Sequence, residues 1–263
     1  MHAFWGLIKK DLAITRFWYL VWLVLLFLGM IASFVLVERI NEPSSLVPIY
    51  ILAISAQIVL MPILMLFALK IEGKSQMWLY NPQSSTKLLL AKLTSMFLMQ
   101  VLSQFFLIIY GVVILNYLLR AEVISTSEKF LPINLIFLFH LGIIGTAVYL
   151  AIWILFYWTV YHSLGKYPHI RSFRWLIIMI MWFSFNTIEA IFHFILGKSN
   201  LFPSLTIEIN TVPSMDYVSG SGWEIVKRDG DFSFPILAIC IYTVIAIALF
   251  LISSRLLDKK VEV

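Results

Sequence analysis

Six apolar stretches, each about as long as a lipid bilayer is thick, constrain the fold of this 263-residue chain more than any other feature. They cover residues 17–37, 47–69, 94–119, 131–161, 174–196 and 234–253. About 20 apolar residues in a helix span the hydrocarbon core, where a helix satisfies its own backbone hydrogen bonds. The chain is 61% apolar and 13% charged, whereas a soluble domain is roughly 45–50% apolar and 25% charged. The sequence therefore predicts an all-α membrane protein with six transmembrane helices in a single domain, 1–263.

Basic residues are distributed unevenly between the two sides that six spans define. The side that holds both termini carries Lys9, Lys10, Arg16, Lys70, Lys74, Lys87, Lys92, Lys166, Arg171, Arg174, Arg255, Lys259 and Lys260. The short segments of the other side carry Arg39, Arg120 and Lys129. Because cytoplasmic segments are enriched in basic residues, we predict a cell-membrane protein with both termini in the cytoplasm. The net charge of +5 is therefore expected to report orientation, and we expect no binding of nucleic acid.

Residues 1–16 form an amphipathic pattern before the first apolar stretch. Apolar residues recur at every fourth position, at Phe4, Ile8 and Leu12. The charged residues fall elsewhere on the helical wheel, at Lys9, Lys10 and Asp11. Such a pattern predicts a helix lying along the membrane surface. A flexible basic anchor is the alternative interpretation of the same residues.

The segment from residue 70 to residue 92 is the most polar interval between two long apolar runs. Pro82 cannot continue a helix and pushes Asn81 out of the helical region, which predicts a break. Ser84 or Ser85 is a suitable N-cap for a helix that starts just before Leu88. This cytoplasmic loop, 70–93, either contacts another protein at the membrane face or lies as an amphipathic turn among the lipid headgroups.

The segment 197–233 on the opposite side differs in character from the short links. Residues 205–210 alternate between apolar and polar side chains, as a strand does. Turn signals follow at residues 219–222 and at Asp229-Gly230. We predict a small, partly ordered external segment between the fifth and sixth spans.

Polar residues inside the spans are the candidates for a functional path. Asn186, Glu189 and His193 share one face of the fifth span, because they are three and four residues apart. A carboxylate in a membrane usually faces a bundle interior or a water-filled cavity. The three residues either line a substrate path or form an interhelical hydrogen-bond cluster. Further polar residues are expected to join helices to one another, namely Gln57, Gln100, Gln104 and His140.

Motifs for catalysis are incomplete. Gly73-Lys74-Ser75 resembles the end of a phosphate-binding loop, but Ala68 stands where that motif requires a glycine. Glu189 and His193 lack the second histidine of a zinc-protease helix. The single cysteine, Cys240, lies in an apolar run. We therefore expect no catalytic residue, no metal site and no cofactor on this chain.

The assembled layout resembles the permease subunits of ABC transporters of the type-2 exporter class, and it is similar to small bacterial permeases that work with a separate ATPase. The resemblance covers nearly the whole chain, from Leu7-Ile-Lys-Lys-Asp-Leu12 through the six spans. Its local motif is Glu72-Gly73, then 79–84 (LYNPQS), then Leu90-Ala91-Lys92. Asn81 lengthens the approach to Pro82 and departs slightly from the family pattern.

The resemblance implies a specific assembly in a bacterial plasma membrane. Two permease chains, identical or related, would form one transporter, and two ATPase subunits would dock below them. The 70–92 loop would act as the coupling helix that transmits ATPase motion to the substrate path. The residues implied in ATPase coupling are Glu72, Gly73, Trp78, Leu79, Tyr80 and Pro82.

Two other classes of function remain open from the residues alone. One is a membrane-embedded enzyme of the intramembrane protease type that uses glutamate and histidine. The other is a bacteriocin-immunity or sensory membrane protein that binds a peptide without pumping it. Neither of these alternatives requires an ATPase partner, whereas the exporter does.

Overall fold

Six helices dominate the computed structural model, which describes residues 2–75, 83–121, 133–198, 206–218 and 222–260. They are α1 (His2–Ile40), α2 (Leu46–Ser75), α3 (Ser85–Arg120), α4 (Ile133–Ser163), α5 (Arg174–Lys198) and α6 (Ile236–Lys260). Each helix is long and apolar enough to cross a membrane. The chain is therefore a multi-pass membrane protein, and the six predicted spans are confirmed.

The first helix continues through the predicted boundary between a surface helix and the first span. No residue between Leu12 and Phe17 interrupts the helix, because the intervening Ala, Ile, Thr and Arg are all compatible with helical geometry. The helix ends at Ile40, where Asn41 takes the left-handed conformation with φ of 61°. Asn41 donates its N–H to the Val37 carbonyl at 2.8 Å, as residues after a helix end commonly do. The boundary predicted at Arg16, between a surface helix and the first span, is thus not a break in α1.

The helical ends near the link between α2 and α3 extend beyond the predicted spans. Helix α2 continues to Ser75, and α3 starts at Ser85. The predicted helix start is confirmed, and the Ser84 carbonyl accepts the N–H groups of Lys87 (2.9 Å) and Leu88 (3.2 Å). Glu72 and Gly73 therefore belong to the end of α2 rather than to the start of a separate helix.

Two strands interrupt the otherwise helical chain between α5 and α6. Strand β1 (Thr206–Val218) and strand β2 (Gly222–Pro235) form a two-stranded sheet. Three residues separate them, so they run antiparallel, because parallel strands need a crossover of a dozen or more residues. The strand predicted around residues 205–210 is confirmed, but the turn predicted at Asp229-Gly230 is wrong, because that pair lies inside β2. Pairing with β1 outweighs the local turn preference of Asp229-Gly230. The two strands also correct the predicted fold class, because the protein is nearly all helical instead of wholly helical.

The chain divides into two compact units. Unit 1 consists of Met1–Ala68, Ala91–Ala151 and Ile209–Phe232. Its hydrophobic core joins α1, α2, α3 and α4 through Val37, Leu46, Ile54, Leu107, Tyr110, Ile114, Leu118 and Ile143. Pro62 lies inside α2 without ending it. Neighbouring helices in a membrane bundle can satisfy the backbone groups that such a proline frees.

Unit 2 consists of Leu69–Leu90, Ile152–Glu208 and Ser233–Val263. In this unit the ring of Trp153 on α4 meets that of Phe185 on α5, with centroids 4.4 Å apart. The guanidinium of Arg174, at the start of α5, lies 4.5 Å from the Tyr161 ring centroid on α4. Aromatic and cation–π contacts of this kind fix the corner between α4 and α5.

Candidate coupling segment and substrate path

The end of α2 packs closely against α4 in unit 2. Glu72 is buried, at 5% exposure, although it lies only three residues from the end of the helix. A methyl group on Gly73 would lie 3.1 Å from Cζ2 of Trp158. Gly73 thus permits a close approach of the two helices. Of the residues implied in coupling, Trp78, Leu79, Tyr80 and Pro82 lie outside the described part of the chain.

The start of α3 is tied to the end of α6 in the same unit. The Ser85 hydroxyl donates to the Asp258 carboxylate. One residue further on, the hydroxyls of Thr86 and Ser254 are 2.6 Å apart. These residues are separated by 173 and 168 positions in sequence, so no local pattern indicates the pairing. From the sequence, the spacing of four residues between Ser254 and Asp258 indicates that one face of α6 is polar, but it does not indicate the partner of that face.

A buried ion pair joins α1 to α3 in unit 1. Lys92 Nζ lies 3.2 Å from Asp11 Oδ1, and the two side chains are 3% and 2% exposed. Lys10 Nζ also lies 3.6 Å from the same carboxylate oxygen. The two opposite charges neutralise each other at a position from which water is excluded. The cost of removing both charges from water offsets much of their attraction. The pair therefore fixes a specific contact rather than adding much net stability.

The position of Asp11 corrects the predicted helical wheel. The buried face of α1 near its start contains Ile8, Asp11, Thr15 and Tyr19. Asp11 lies three residues after Ile8 and so shares its face, and Lys92 makes that placement tolerable. Two more contacts follow the same seam: the Ser95 hydroxyl reaches the Ile8 carbonyl at 3.3 Å, and the Thr15 hydroxyl reaches Met99 Sδ at 3.5 Å. From the sequence, Asp11 was assigned to the predicted surface helix and Lys92 to the end of the motif that carries the permease resemblance, with no sign that the two residues meet.

The predicted polar face of α5 shows two kinds of environment. Asn186 is exposed, and its Nδ2 donates to the Trp182 carbonyl of the same helix at 2.7 Å. Glu189 is half-buried, and its Oε1 accepts the Tyr242 hydroxyl of α6 at 2.5 Å. His193 lies on α5, and its side chain is outside the described part of the structure. Glu189 therefore joins α5 to α6, an interhelical role that was one of its two predicted interpretations.

A second polar cluster, fully buried, lies in unit 1. Gln100 Nε2 donates to the Gln57 backbone carbonyl at 3.0 Å, and the Ser103 hydroxyl donates to Gln57 Oε1 at 3.0 Å. Gln104 Nε2 lies 2.5 Å from His140 Nδ1. The prediction that these glutamines and His140 join helices is confirmed, because the bonds connect α2 with α3 and α3 with α4.

The cluster continues from His140 to α2. His140 Nε2 lies 3.4 Å from the Tyr50 hydroxyl. Gly111 of α3 faces that hydroxyl so closely that a methyl group there would overlap it. The sequence indicated the glutamines, but nothing in it pointed to the role of Gly111.

Among the residues that the structure describes, no group of three or more His, Cys, Asp or Glu side chains is placed to hold a metal ion.

No model of a known protein family matches the sequence. The chain is similar to an uncharacterized Bacillus subtilis protein, YhcE, with 28% identity over 265 aligned positions. The alignment covers 100% of both chains, so the similarity extends through all six spans.

Proposed function

We propose that this chain is the permease subunit of an ATP-driven ABC exporter of the type-2 class. In this role it forms the substrate path in the plasma membrane, with both termini in the cytoplasm, and ATP hydrolysis occurs on separate subunits. The observation that carries the proposal is the extension of α2 and α3, of 30 and 36 residues, on both sides of the 76–84 link. About 20 residues suffice to cross a bilayer, so these helices have length to reach a partner beyond it.

Specific contacts hold the helix ends on both sides of the 76–84 link. In unit 2, Gly73 lies against Trp158, and Ser85 and Thr86 bond to α6. In unit 1, Lys92 pairs with Asp11. A link that an ATPase pushes can move a membrane helix only when its flanks are rigid, and each flank has a specific side-chain contact. These contacts support a coupling role for Glu72 and Gly73 and for the residues that follow them.

The surface of α5 favours a second permease chain as a partner. No residue is buried in its most apolar 18-residue window, and the exposed positions include Asn186. A polar side chain facing lipid is costly, and small or polar residues commonly join helices in membranes. A second copy or a related permease covering this face would complete a dimer, with two ATPase subunits bound on the cytoplasmic side.

Purification of the tagged chain from its native membranes in a mild detergent tests the proposal. We expect an ABC ATPase to copurify and the preparation to hydrolyse ATP. Recovery of the intact chain with no ATPase, under conditions in which other membrane complexes survive, would contradict the proposal. That outcome would favour the membrane-embedded enzyme or the immunity or sensory protein, since neither needs an ATPase.

Acidic substitutions in the link test coupling directly. Replacing Trp78 and Leu79 by aspartate should lower ATPase association, because buried apolar anchors can each contribute roughly 2 kcal/mol to an interface. The matched control replaces Tyr167 and Ile170, two exposed apolar residues of the α4–α5 link, by aspartate. Equal ATPase recovery in both double variants would remove the coupling role from the 76–84 link.

Single cysteines test the proposed topology. In a Cys240→Ala background, Ser84→Cys should react with an impermeant thiol reagent only after the membrane is opened. Ser221→Cys, between β1 and β2, should react in intact cells. Labelling of both positions from outside would overturn the cytoplasmic placement of the link and of the termini.

Two substitutions of Glu189 test whether Asn186, Glu189 and His193 line the substrate path. If Glu189 contacts substrate, Glu189→Gln should keep the fold and the dimer but change transport, because the amide retains hydrogen bonding without the charge. If Glu189 serves assembly alone, Glu189→Gln should be tolerated, whereas Glu189→Leu should weaken the contact with Tyr242. Full transport in both variants would remove Glu189 from the path.

A further inference from the structure

Each of three buried glutamines in unit 1 retains one polar atom with no partner. We call Gln57 of α2 and Gln100 and Gln104 of α3 the glutamine cluster; each is at most 1% exposed. The unpaired atoms are Gln57 Nε2, Gln100 Oε1 and Gln104 Oε1. A buried polar atom without a hydrogen bond is costly, and a membrane interior supplies no bulk water to satisfy it.

The hydrogen bonds that the glutamines make limit how their amide groups can be assigned. Gln100 must keep its orientation, because its Nε2 donates to the Gln57 carbonyl and a rotated amide would place two acceptors together. Rotating Gln57 or Gln104 would exchange which of its two amide atoms bonds to Ser103 or to His140. In the orientations of the structure, one amide atom of each glutamine has no hydrogen-bond partner.

The unpaired atoms belong to adjoining side chains. Gln100 and Ser103 both bond to Gln57, and Gln104 follows Gln100 by one helical turn on the same face of α3. The hydrogen-bonding partners in this cluster are amides, a hydroxyl and an imidazole, with no carboxylate, lysine or arginine among them. A ligand that matches these groups is uncharged and both donates and accepts hydrogen bonds.

We propose that the glutamine cluster binds ordered water within the helices of unit 1. Buried waters typically make about three hydrogen bonds to groups that are otherwise unsatisfied, and the cluster offers one donor and two acceptors of this kind. The inference goes beyond the transport function and does not depend on it. A hydrated site in the spans is a property of the single chain, with or without an ATPase.

Solid-state NMR of the full chain in lipid bilayers tests the proposal with water itself as the probe. Labelling glutamine with ¹⁵N marks only five residues, Gln57, Gln76, Gln83, Gln100 and Gln104. A leucine substitution at each cluster position assigns its signal by loss. We expect magnetisation transfer from water to the Gln57 side-chain amide protons and no comparable transfer to the backbone N–H of Gln57, which is inside α2.

The half-buried side chain of Gln83 serves as the hydrated reference in the same sample. Transfer to Gln83 with none to the assigned Gln57 side chain would overturn the proposal. If the three glutamines share one hydrated site, a change at one of them should affect the others. Gln100→Leu, which removes one acceptor, should therefore lower magnetisation transfer from water to the Gln57 side chain about two-fold or more. Unchanged transfer in a folded Gln100→Leu protein would show that the cluster does not hold the water jointly and would also contradict the proposal.

Discussion

Helices α3 and α5 carry polar residues at the same helical spacing and place them in opposite environments. On α3, Gln100, Ser103 and Gln104 are buried and bond to side chains or backbone of α2 and α4. On α5, Asn186 is exposed and turns its amide onto its own helix. A spacing of three or four residues shows that polar side chains share a face, but it does not show what covers that face.

The difference follows from where the partner groups lie. Neighbouring helices offer α3 acceptors and donors, so its amides need not compete with their own backbone. Helix α5 meets such a partner at Glu189, which accepts the Tyr242 hydroxyl, whereas Asn186 bonds to the Trp182 carbonyl one turn away. We therefore expect substitutions on α3 to act on the stability of the single chain, and substitutions on the exposed face of α5 to act mainly on assembly.

The largest effect is expected from the buried charge at the start of α3. Lys92→Ala removes the charge partner that lies 3.2 Å from Asp11. Breaking a buried ion pair typically costs about 3–5 kcal/mol. We expect a loss toward the lower end of that range, because Asp11 stays buried and the partly exposed Lys10, 3.6 Å away, compensates its charge only in part. The free energy of unfolding, measured by denaturant titration in mixed micelles, checks this value.

Two variants sharpen this test. Lys87→Ala, on an exposed residue of the same helix, should change the free energy of unfolding by about 0.5 kcal/mol or less. Combining Asp11→Leu with Lys92→Met removes both charges and should recover most of the loss. Equal effects of Lys92→Ala and Lys87→Ala would show that the ion pair does not hold α1 to α3.

A smaller effect is expected from filling the gap beside Tyr50. Gly111→Ala places a methyl group onto the Tyr50 hydroxyl, and overpacking of this kind costs about 1–3 kcal/mol. Gly145→Ala on α4 is the matched control, because a methyl group there meets no atom within 4 Å. Thermal unfolding should show a loss for Gly111→Ala alone. In a Tyr50→Ala background, which removes both the hydroxyl and the ring carbon Cζ that lies 2.7 Å from the added methyl group, Gly111→Ala should cause no further loss. A further loss in that background would place the strain elsewhere.

The comparison of α3 with α5 is tested most directly by one apolar substitution on each helix. Gln100→Leu removes an interhelical hydrogen bond and should cost the folded chain about 0.6–1.7 kcal/mol. Asn186→Leu should change the stability of the single chain by about 0.5 kcal/mol or less, since its amide bonds within α5. A larger loss of stability for Asn186→Leu than for Gln100→Leu, under monomeric conditions, would reverse the comparison.

The smallest effect is expected at the contact of α5 with α6. Tyr242→Phe deletes the hydroxyl that Glu189 accepts and should cost about 0.6 kcal/mol, the average for interhelical hydrogen bonds in membranes. Thr243→Val is the control, because the Thr243 hydroxyl bonds to the Ile239 carbonyl of its own helix. Hydrogen exchange of α5 and α6 should rise in Tyr242→Phe alone; the same rise in both variants would deny Tyr242 a specific role.

The six spans were predictable because bilayer thickness acts on the sequence directly. An apolar run of about 20 residues is visible without knowledge of any neighbour, and it determines both the element and its length. The start of α3 at Ser85 was predictable for a similar reason, since a serine and a preceding proline act through the local backbone. The strand near residue 206 also followed from a local alternation of side chains.

Where these rules failed, a distant partner outweighed a local preference. Asp229-Gly230 is a good turn pair, but β1 holds it inside β2. Asp11 is charged, but Lys92 lies 81 positions away and allows it to be buried. Helix α1 continues beyond Arg16, because the sequence there contains no residue that ends a helix.

The sequence by itself determined the membrane class, the number of spans and which polar residues share a helical face, because each depends on residues within one helix. The tertiary structure alone decided which of those faces are buried. It paired Lys92 with Asp11, Ser85 with Asp258 and Tyr242 with Glu189, and it placed Gln57 against Gln100. Burial of a polar side chain depends on a partner that the fold brings from far along the chain, and spacing within one helix carries no information about that partner.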